Sequence, residues 1–255
     1  LVIGPTGSGK TFFANAMYQY SQDKGIIEPN QSMIIFNCAD YSQNPQLLMS
    51  HLFGHAKGAY TGATEAKEGL LLKADNNMLF LDEIHRLPPE GQEMLFYFMD
   101  TGTFQPMGET DKRYSAKVRI ICATTEDPNS TLLKTFVRRI PVTIQLPAFN
   151  DRPASERVQL LKLLLSIEAK RIDKRIVVEE DVVKALLGSV TYGNIGQLKS
   201  SIQLACAKAF LNSMDNNEEM LINMDGLTGE LQEGLINIAR NRDELNEISN
   251  YLEPR

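Results

Sequence analysis

Eight residues near the start of the chain, Gly4-Pro5-Thr6-Gly7-Ser8-Gly9-Lys10-Thr11, confine it to a small set of architectures. They satisfy the pattern G-x-x-x-x-G-K-[ST] at every fixed position. In such a loop the glycines let the backbone curl until successive N–H groups point into one concavity. Lys10 then reaches terminal phosphates, and the Thr11 hydroxyl is available to Mg2+. Context decides between this reading and a Gly-rich turn of no function. Here the apolar Leu1-Val2-Ile3 supplies a strand before the loop, and Phe12 to Met17 starts a helix whose N-terminus faces the same anion.

With 255 residues the chain is long enough for one large domain, or one with a smaller companion. Its hydrophobic fraction of 43% and charged fraction of 23% are those of an ordinary globular protein. No apolar run approaches membrane-spanning length and no signal peptide is visible, so a cytoplasmic location is expected. The chain opens inside its first strand without an initiator Met, and it reads as a fragment of something longer. A net charge of −6 argues against a broad basic grip on nucleic acid and makes a protein partner the better expectation. Cys38, Cys122 and Cys206 have neither disulfide nor metal-ligand spacing and read as buried thiols.

Along the chain, Lys10 to about Gln22 reads as a helix, and Met33 to Phe36 as a strand buried on both faces of a parallel sheet. That strand ends in Asn37, which is either a turn cap or, by its position at the edge where open α/β sheets bind ligands, part of a nucleotide site. Pro45 to Phe53 reads as a helix. After it, Gly58-Ala59-Tyr60-Thr61-Gly62-Ala63 cannot supply a core: it is a loop with a small apolar tip, suited to touching a partner or serving as a plain connection. Glu65 to Ala74 is expected to be helical. Met78 to Leu81 is a second buried strand ended by Asp82-Glu83, where a Mg2+-organising Asp and a water-activating Glu belong; capping of the following segment is the alternative. A helix over Pro88 to Met99, a hairpin-like excursion to Arg113 and the strand Val118 to Cys122, followed by Thr124-Thr125, complete a doubly wound α/β pattern.

These segments occur in the order found in a known family. The phosphate loop, Asn37-Cys38-Ala39, Leu52 to His55 with the hexapeptide Gly58 to Ala63, Leu79 to Ile84, Val118 to Thr125 and Tyr192 to Leu198 resemble the AAA+ ATPase domain of sigma-54-dependent transcriptional activators. The hexapeptide resembles that family's GAFTGA loop, with Tyr60 where Phe is usual. The resemblance covers about residues 1 to 210. It implies a three-layer αβα core with a parallel sheet over residues 1–150 and a small helical lid over 151–212. It also implies ATP and Mg2+ as ligands, hydrolysis of ATP, assembly into a ring, hexameric by resemblance, and sigma-54 RNA polymerase as the partner remodelled.

Residue by residue, the resemblance places phosphate on the loop from Gly4 to Thr11 and metal on Thr11 and, through water, on Asp82. It makes Glu83 the group that polarises water and Asn37 the residue that pairs with that glutamate. Thr124 and Thr125 match the first sensor, and Tyr60 and Thr61 form the tip that engages sigma-54. Arg139 falls on one of two finger positions that would complete a neighbour's site. Leu133 falls on the other, with Arg138 as a substitute and a solvated surface patch as the plainer reading of the pair. The chain departs from the pattern again at Gly196, where the second sensor usually has Arg. With His51 ahead of the loop, this resembles the subgroup whose members also carry phosphotransferase-regulation domains, as in levanase and mannose operon regulators. Residues 213–255, polar and acidic at Asp215 to Glu219, read as a connector to a further domain or as a last packing helix of the lid; promoter DNA would be met by a domain outside the chain. Two other functions stay open, a AAA+ remodeller of a different client and a slow nucleotide-dependent binding switch.

Overall fold

The computed structural model describes residues 1–212, 219–240 and 242–252, in two bodies. The first comprises residues 1–4 and 10–146, the second residues 5–9 and 147–255. The boundary therefore leaves the phosphate loop grouped with the second body, although the loop's neighbours in sequence belong to the first.

The first body is built on five strands: β1 (Val2–Ile3), β2 (Ile34–Asn37), β3 (Met78–Asp82), β4 (Arg119–Thr124) and β5 (Ile144–Gln145). They are parallel, in the order β2-β3-β4-β1-β5. Alternation along β3 explains why its apolar run is unbroken. Met78 and Phe80 pack with Val2, Ala14, Tyr18 and Ala123 on the face covered by α1 (Lys10–Asp23). Leu79 and Leu81 point the other way, into a core with Leu48, Leu52, Leu95 and Phe98 from α2 (Pro45–Phe53) and α3 (Pro89–Thr101). A strand covered on both faces cannot alternate apolar with polar. β2 differs from expectation here: it is the edge strand, and Ile35 is 51% exposed rather than buried.

The register puts the ends of four strands along one edge. Asn37 lies opposite Asp82, Leu81 opposite Cys122, and Ile3, just ahead of the phosphate loop, opposite Thr124. Residues 65–74 also differ from the expected helix. Lys67–Glu68 instead pairs antiparallel with Gly54–His55, closing the base of the 58–63 loop, and only Leu70–Lys73 is helical. Thr103–Phe104 and Tyr114–Ser115 pair antiparallel, as the hairpin-like excursion required.

In the second body, α4 (Ala154–Ile172), α5 (Glu180–Gly188), α6 (Asn194–Asn212), α7 (Gly229–Ala239) and α8 (Arg242–Asn250) surround a core of Phe149, Val158, Leu161, Val182, Leu186, Leu198, Ile202, Leu231 and Ile238. A parallel pair, β6 (Arg175–Val178) and β7 (Glu219–Ile222), is added to it. The stretch read as a connector thus carries β7, with Met220 and Ile222 buried, and α7, whose Gly234 meets Gly188 of α5. A Cβ on Gly234 would lie 2.1 Å from the Ala185 carbonyl oxygen, so the two helices cross with their backbones nearly touching. Residues 213–218, which include Asp215 and Glu218, lie outside the described residues. Cys38, Cys122 and Cys206 are free and buried, and burial pushes their thiols up to about 12, 12 and 11, where they are inert as nucleophiles.

Candidate functional site

In the first body, β3 delivers Asp82 and Glu83 to the carboxyl edge of the sheet, where β4 delivers Thr124 and Thr125. Asp82 accepts the Glu83 backbone N–H on Oδ1 at 3.0 Å, which favours its ionised form, while burial, the larger effect, pushes its carboxyl upward. Glu83 itself is left-handed, with φ 50° and ψ 47°, at the start of the turn Ile84–Arg86. For a non-glycine residue this conformation is costly, and such strain concentrates where side chains must be aimed. The Thr125 hydroxyl donates to Glu83 Oε2 at 3.1 Å. On the same edge His85 Nδ1 lies 3.0 Å from Thr124 Oγ1 and 3.4 Å from Glu83 Oε2. Thr124, fully buried, also accepts the Glu126 backbone N–H on its hydroxyl at 3.0 Å.

Lys10 is buried and donates from Nζ to the Gly4 carbonyl at 2.9 Å. Burial lowers its pKa, and the charges of Asp82 and Glu83 oppose that shift. Thr11, at the start of α1, is exposed. Asn37 does not pair with Glu83 here. Its Oδ1 accepts the Ala39 backbone N–H at 3.0 Å, capping the turn Cys38–Tyr41, which satisfies an otherwise orphaned donor. Of its two readings, the turn cap is the one seen.

The 58–63 loop is closed on itself. Gly58 N–H donates to the Ala63 carbonyl at 2.8 Å, and Ala63 N–H to the Tyr60 carbonyl at 3.0 Å. Thr61 and Gly62 are exposed, Ala59 and Tyr60 half-buried and Ala63 buried. The Tyr60 ring stands edge-on to His55 at 5.1 Å, and its hydroxyl lies 3.4 Å from Ser50 Oγ, which bonds His55 Nδ1 at 2.6 Å. A second loop props this one: Met107 exchanges backbone hydrogen bonds with Gly54 and Ala56 at 2.9 Å each. Arg139 pairs with Asp100 at 3.2 Å and lies over the Phe96 ring, while Arg138 is exposed beside it. Leu133, by contrast, packs against the core and donates its backbone N–H to Gln92.

In the second body the loop Pro5 to Gly9 is held mainly by the start of α6. Asn194, 4% exposed and left-handed at φ 53°, donates from Nδ2 to the Thr6 carbonyl at 2.9 Å and accepts the Phe149 N–H on Oδ1 at 2.8 Å. Gly196 N–H donates to the Gly7 carbonyl at 3.2 Å, and a Cβ on Gly7 would sit 2.1 Å from the Gly193 carbonyl oxygen. Arg152 Nη2 reaches the Ser8 carbonyl at 3.4 Å. Gly196 thus stands at a close backbone approach. The Ser8 hydroxyl is buried and has no hydrogen-bond partner among the described residues, as expected of a loop shaped to meet a polar ligand. His85, Asn194 and Arg152 were missed in the sequence, because their roles depend on elements brought together by folding and not on spacing.

The phosphate-loop strand, the paired acids and the glycine-bounded loop share one ordered stretch, and residues 1–146 match the family described as the sigma-54 interaction domain. The chain belongs to that family. It is 50% identical over 252 residues, 99% of its length, to the transcriptional regulatory protein LevR of Bacillus subtilis. It is 46% identical over 223 residues to the transcriptional regulatory protein DagR of Salmonella typhimurium, covering 87% of the chain. The chain spans about a quarter of the length of these two regulators, 27% and 24%. Among solved structures, NtrX of Brucella abortus in complex with ADP superposes with a TM-score of 0.71 at 24% identity, over 91% of this chain and 49% of that one. The same protein in complex with ATP gives 0.66 at 23% identity, over 96% and 54%. These likenesses show the fold of a sigma-54 interaction domain: mixed α/β with a central parallel sheet. Among the described residues no helix is long and apolar enough to cross a membrane.

Proposed function

We propose that this sigma-54 interaction domain binds ATP with Mg2+, hydrolyses it, and uses the energy to move the 58–63 loop against sigma-54 RNA polymerase. The single observation that carries the reading is the convergence of Asp82, Glu83, Thr124 and Thr125 on one sheet edge, with Glu83 held by a Thr125 hydrogen bond. Gly4 to Thr11 would hold the phosphates, and the buried, partnerless Ser8 hydroxyl fits that use. Asp82 and the Thr11 hydroxyl are hard oxygen donors of the kind Mg2+ takes alongside nucleotide phosphates; the metal would neutralise charge developing on them.

Glu83 would draw a proton from water as the water oxygen bonds the γ-phosphorus and the bond to the ADP oxygen breaks. Thr124 and Thr125 would report on the γ-phosphate. Arg139, or Arg138, would reach a neighbouring subunit's site in a ring, taken as hexameric, at the expense of the Arg139 pair with Asp100. Residues 1–150 would form the nucleotide core and the helices from 151 the lid; the setting would be the cytoplasm, with promoter DNA contacted by a further domain and phosphotransferase-regulation domains elsewhere in the full regulator.

Glu83→Gln should keep nucleotide affinity while ATP turnover falls by about a hundredfold or more. A normal rate in that variant would remove the assignment. Thr61→Ala, on an exposed tip, should leave turnover within about twofold yet abolish retention of sigma-54 in the presence of ADP and aluminium fluoride, read on a native gel. Equal loss of both activities would make the loop structural. Parent turnover also separates a hydrolysing motor from a slow binding switch.

A further inference from the structure

Glu83 is held by a side chain that the sequence pattern does not single out. The left-handed backbone at Glu83 feeds straight into the turn Ile84–Arg86, which folds the chain back on itself and returns His85 to the strand edge. There its side chain, 7% exposed, sits between Glu83 and Thr124. Nδ1 is 3.0 Å from Thr124 Oγ1 and 3.4 Å from Glu83 Oε2. The carboxylate oxygen beside the ring nitrogen calls for the proton on Nδ1, since otherwise lone pairs would face each other, and the Thr124 hydroxyl rotates to suit. The Thr125 hydroxyl donates to the same Oε2 at 3.1 Å. Oε2 therefore has two polar neighbours, the Thr125 hydroxyl in a hydrogen bond and His85 Nδ1 at 3.4 Å, while Oε1 has no hydrogen-bond partner among the described residues.

We propose that His85 is a positioning residue for Glu83, fixing Oε2 together with Thr125 so that Oε1 alone is presented to the attacking water. The inference rests on the hydrolytic reading of the site. A general base gains from this arrangement because a carboxylate free to rotate offers its proton-accepting oxygen in the right direction only part of the time. His85 also lies between the glutamate and Thr124, so the two threonines, the histidine and the base form one contiguous polar cluster. Asn37, occupied with the Ala39 N–H, takes no part in it.

The test compares ATP turnover, KM and the affinity for a fluorescent ATP analogue in the parent chain, His85→Phe, His85→Asn and His85→Gln. The Phe variant keeps the ring's bulk and loses Nδ1; its kcat should fall about tenfold with KM and affinity within about twofold. The Asn amide nitrogen takes the place of Nδ1 and should restore kcat to within about threefold of the parent. The Gln amide reaches the position of Nε2 instead and should behave as the Phe variant, which keeps the test intact should Phe fail to fold. Parent-like kcat in both Phe and Gln, a rise in kcat in either, or an Asn variant no better than them would overturn the proposal, since packing alone then explains the ring. A parent that binds the analogue without turning over ATP would bring down the hydrolytic reading itself, and His85's role with it.

Discussion

Ser50 and His55 show what a single buried pair is worth near the partner loop. Ser50 is 2% exposed and His55 7%, and their 2.6 Å bond leaves little room for water. Ser50→Ala would strand a buried nitrogen, a loss of about 1–3 kcal/mol, and Tm should fall by about 2–4 °C for each kcal/mol lost. Tyr60→Phe removes only a 3.4 Å hydroxyl contact and keeps the ring against His55, so its stability should stay within about 0.5 kcal/mol of the parent. Calorimetry on the two variants checks both. At this scale the phosphate loop was legible because its chemistry is encoded in consecutive residues. His85 was not: its role depends on a left-handed glutamate, and non-glycine residues give no sequence warning of that conformation. Asn37 caps its own turn, since an asparagine two residues before a free N–H is a ready cap, and the pairing with Glu83 that the resemblance implies is not made in this structure.

At the scale of elements, the buried strand β3 was readable from its apolar run, and helices over 151–212 from the family resemblance. The failures share one cause, pairing that lies outside any local window. Lys67–Glu68 forms a strand only because Gly54–His55 is beside it, and β7 only because Arg175–Val178 offers a parallel edge. α7 tests whether the last stretch packs as a helix of the lid, the alternative to a connector. In a helix interior Gly→Ala ordinarily gains about 1 kcal/mol, but at Gly234 the new methyl would meet the Ala185 carbonyl at 2.1 Å and the Ser189 nitrogen at 2.6 Å. Gly234→Ala should therefore destabilise the helical body by about 1–3 kcal/mol. Gly229, at the start of the same helix, has open space around it, and Gly229→Ala should be neutral or slightly stabilising. Urea unfolding of the pair reads the difference; equal behaviour would mean that α7 does not pack on α5.

For the whole molecule, the charge of −6 bears on partners more than on folding. The chain alone should fail to retain duplex DNA in a mobility-shift assay at physiological salt, since it lacks the excess of cations that non-specific binding draws on. Retention that weakened steeply with added salt would point to a basic face masked by the acidic total. The α/β class was legible from the alternation of apolar runs and helices; the membership of the phosphate loop was not, because it depends on Asn194 and Gly196, nearly two hundred residues away in sequence. That membership has a practical edge. A chain cut after Leu146 would retain all five sheet strands, Lys10 and both acids, and would count as a tidy domain by any inspection of the sheet. It would also discard Asn194, Gly196 and Arg152, the donors that pin Thr6, Gly7 and Ser8. The shortened protein would keep its fold and its letters, and lose the scaffolding that gives the loop its shape.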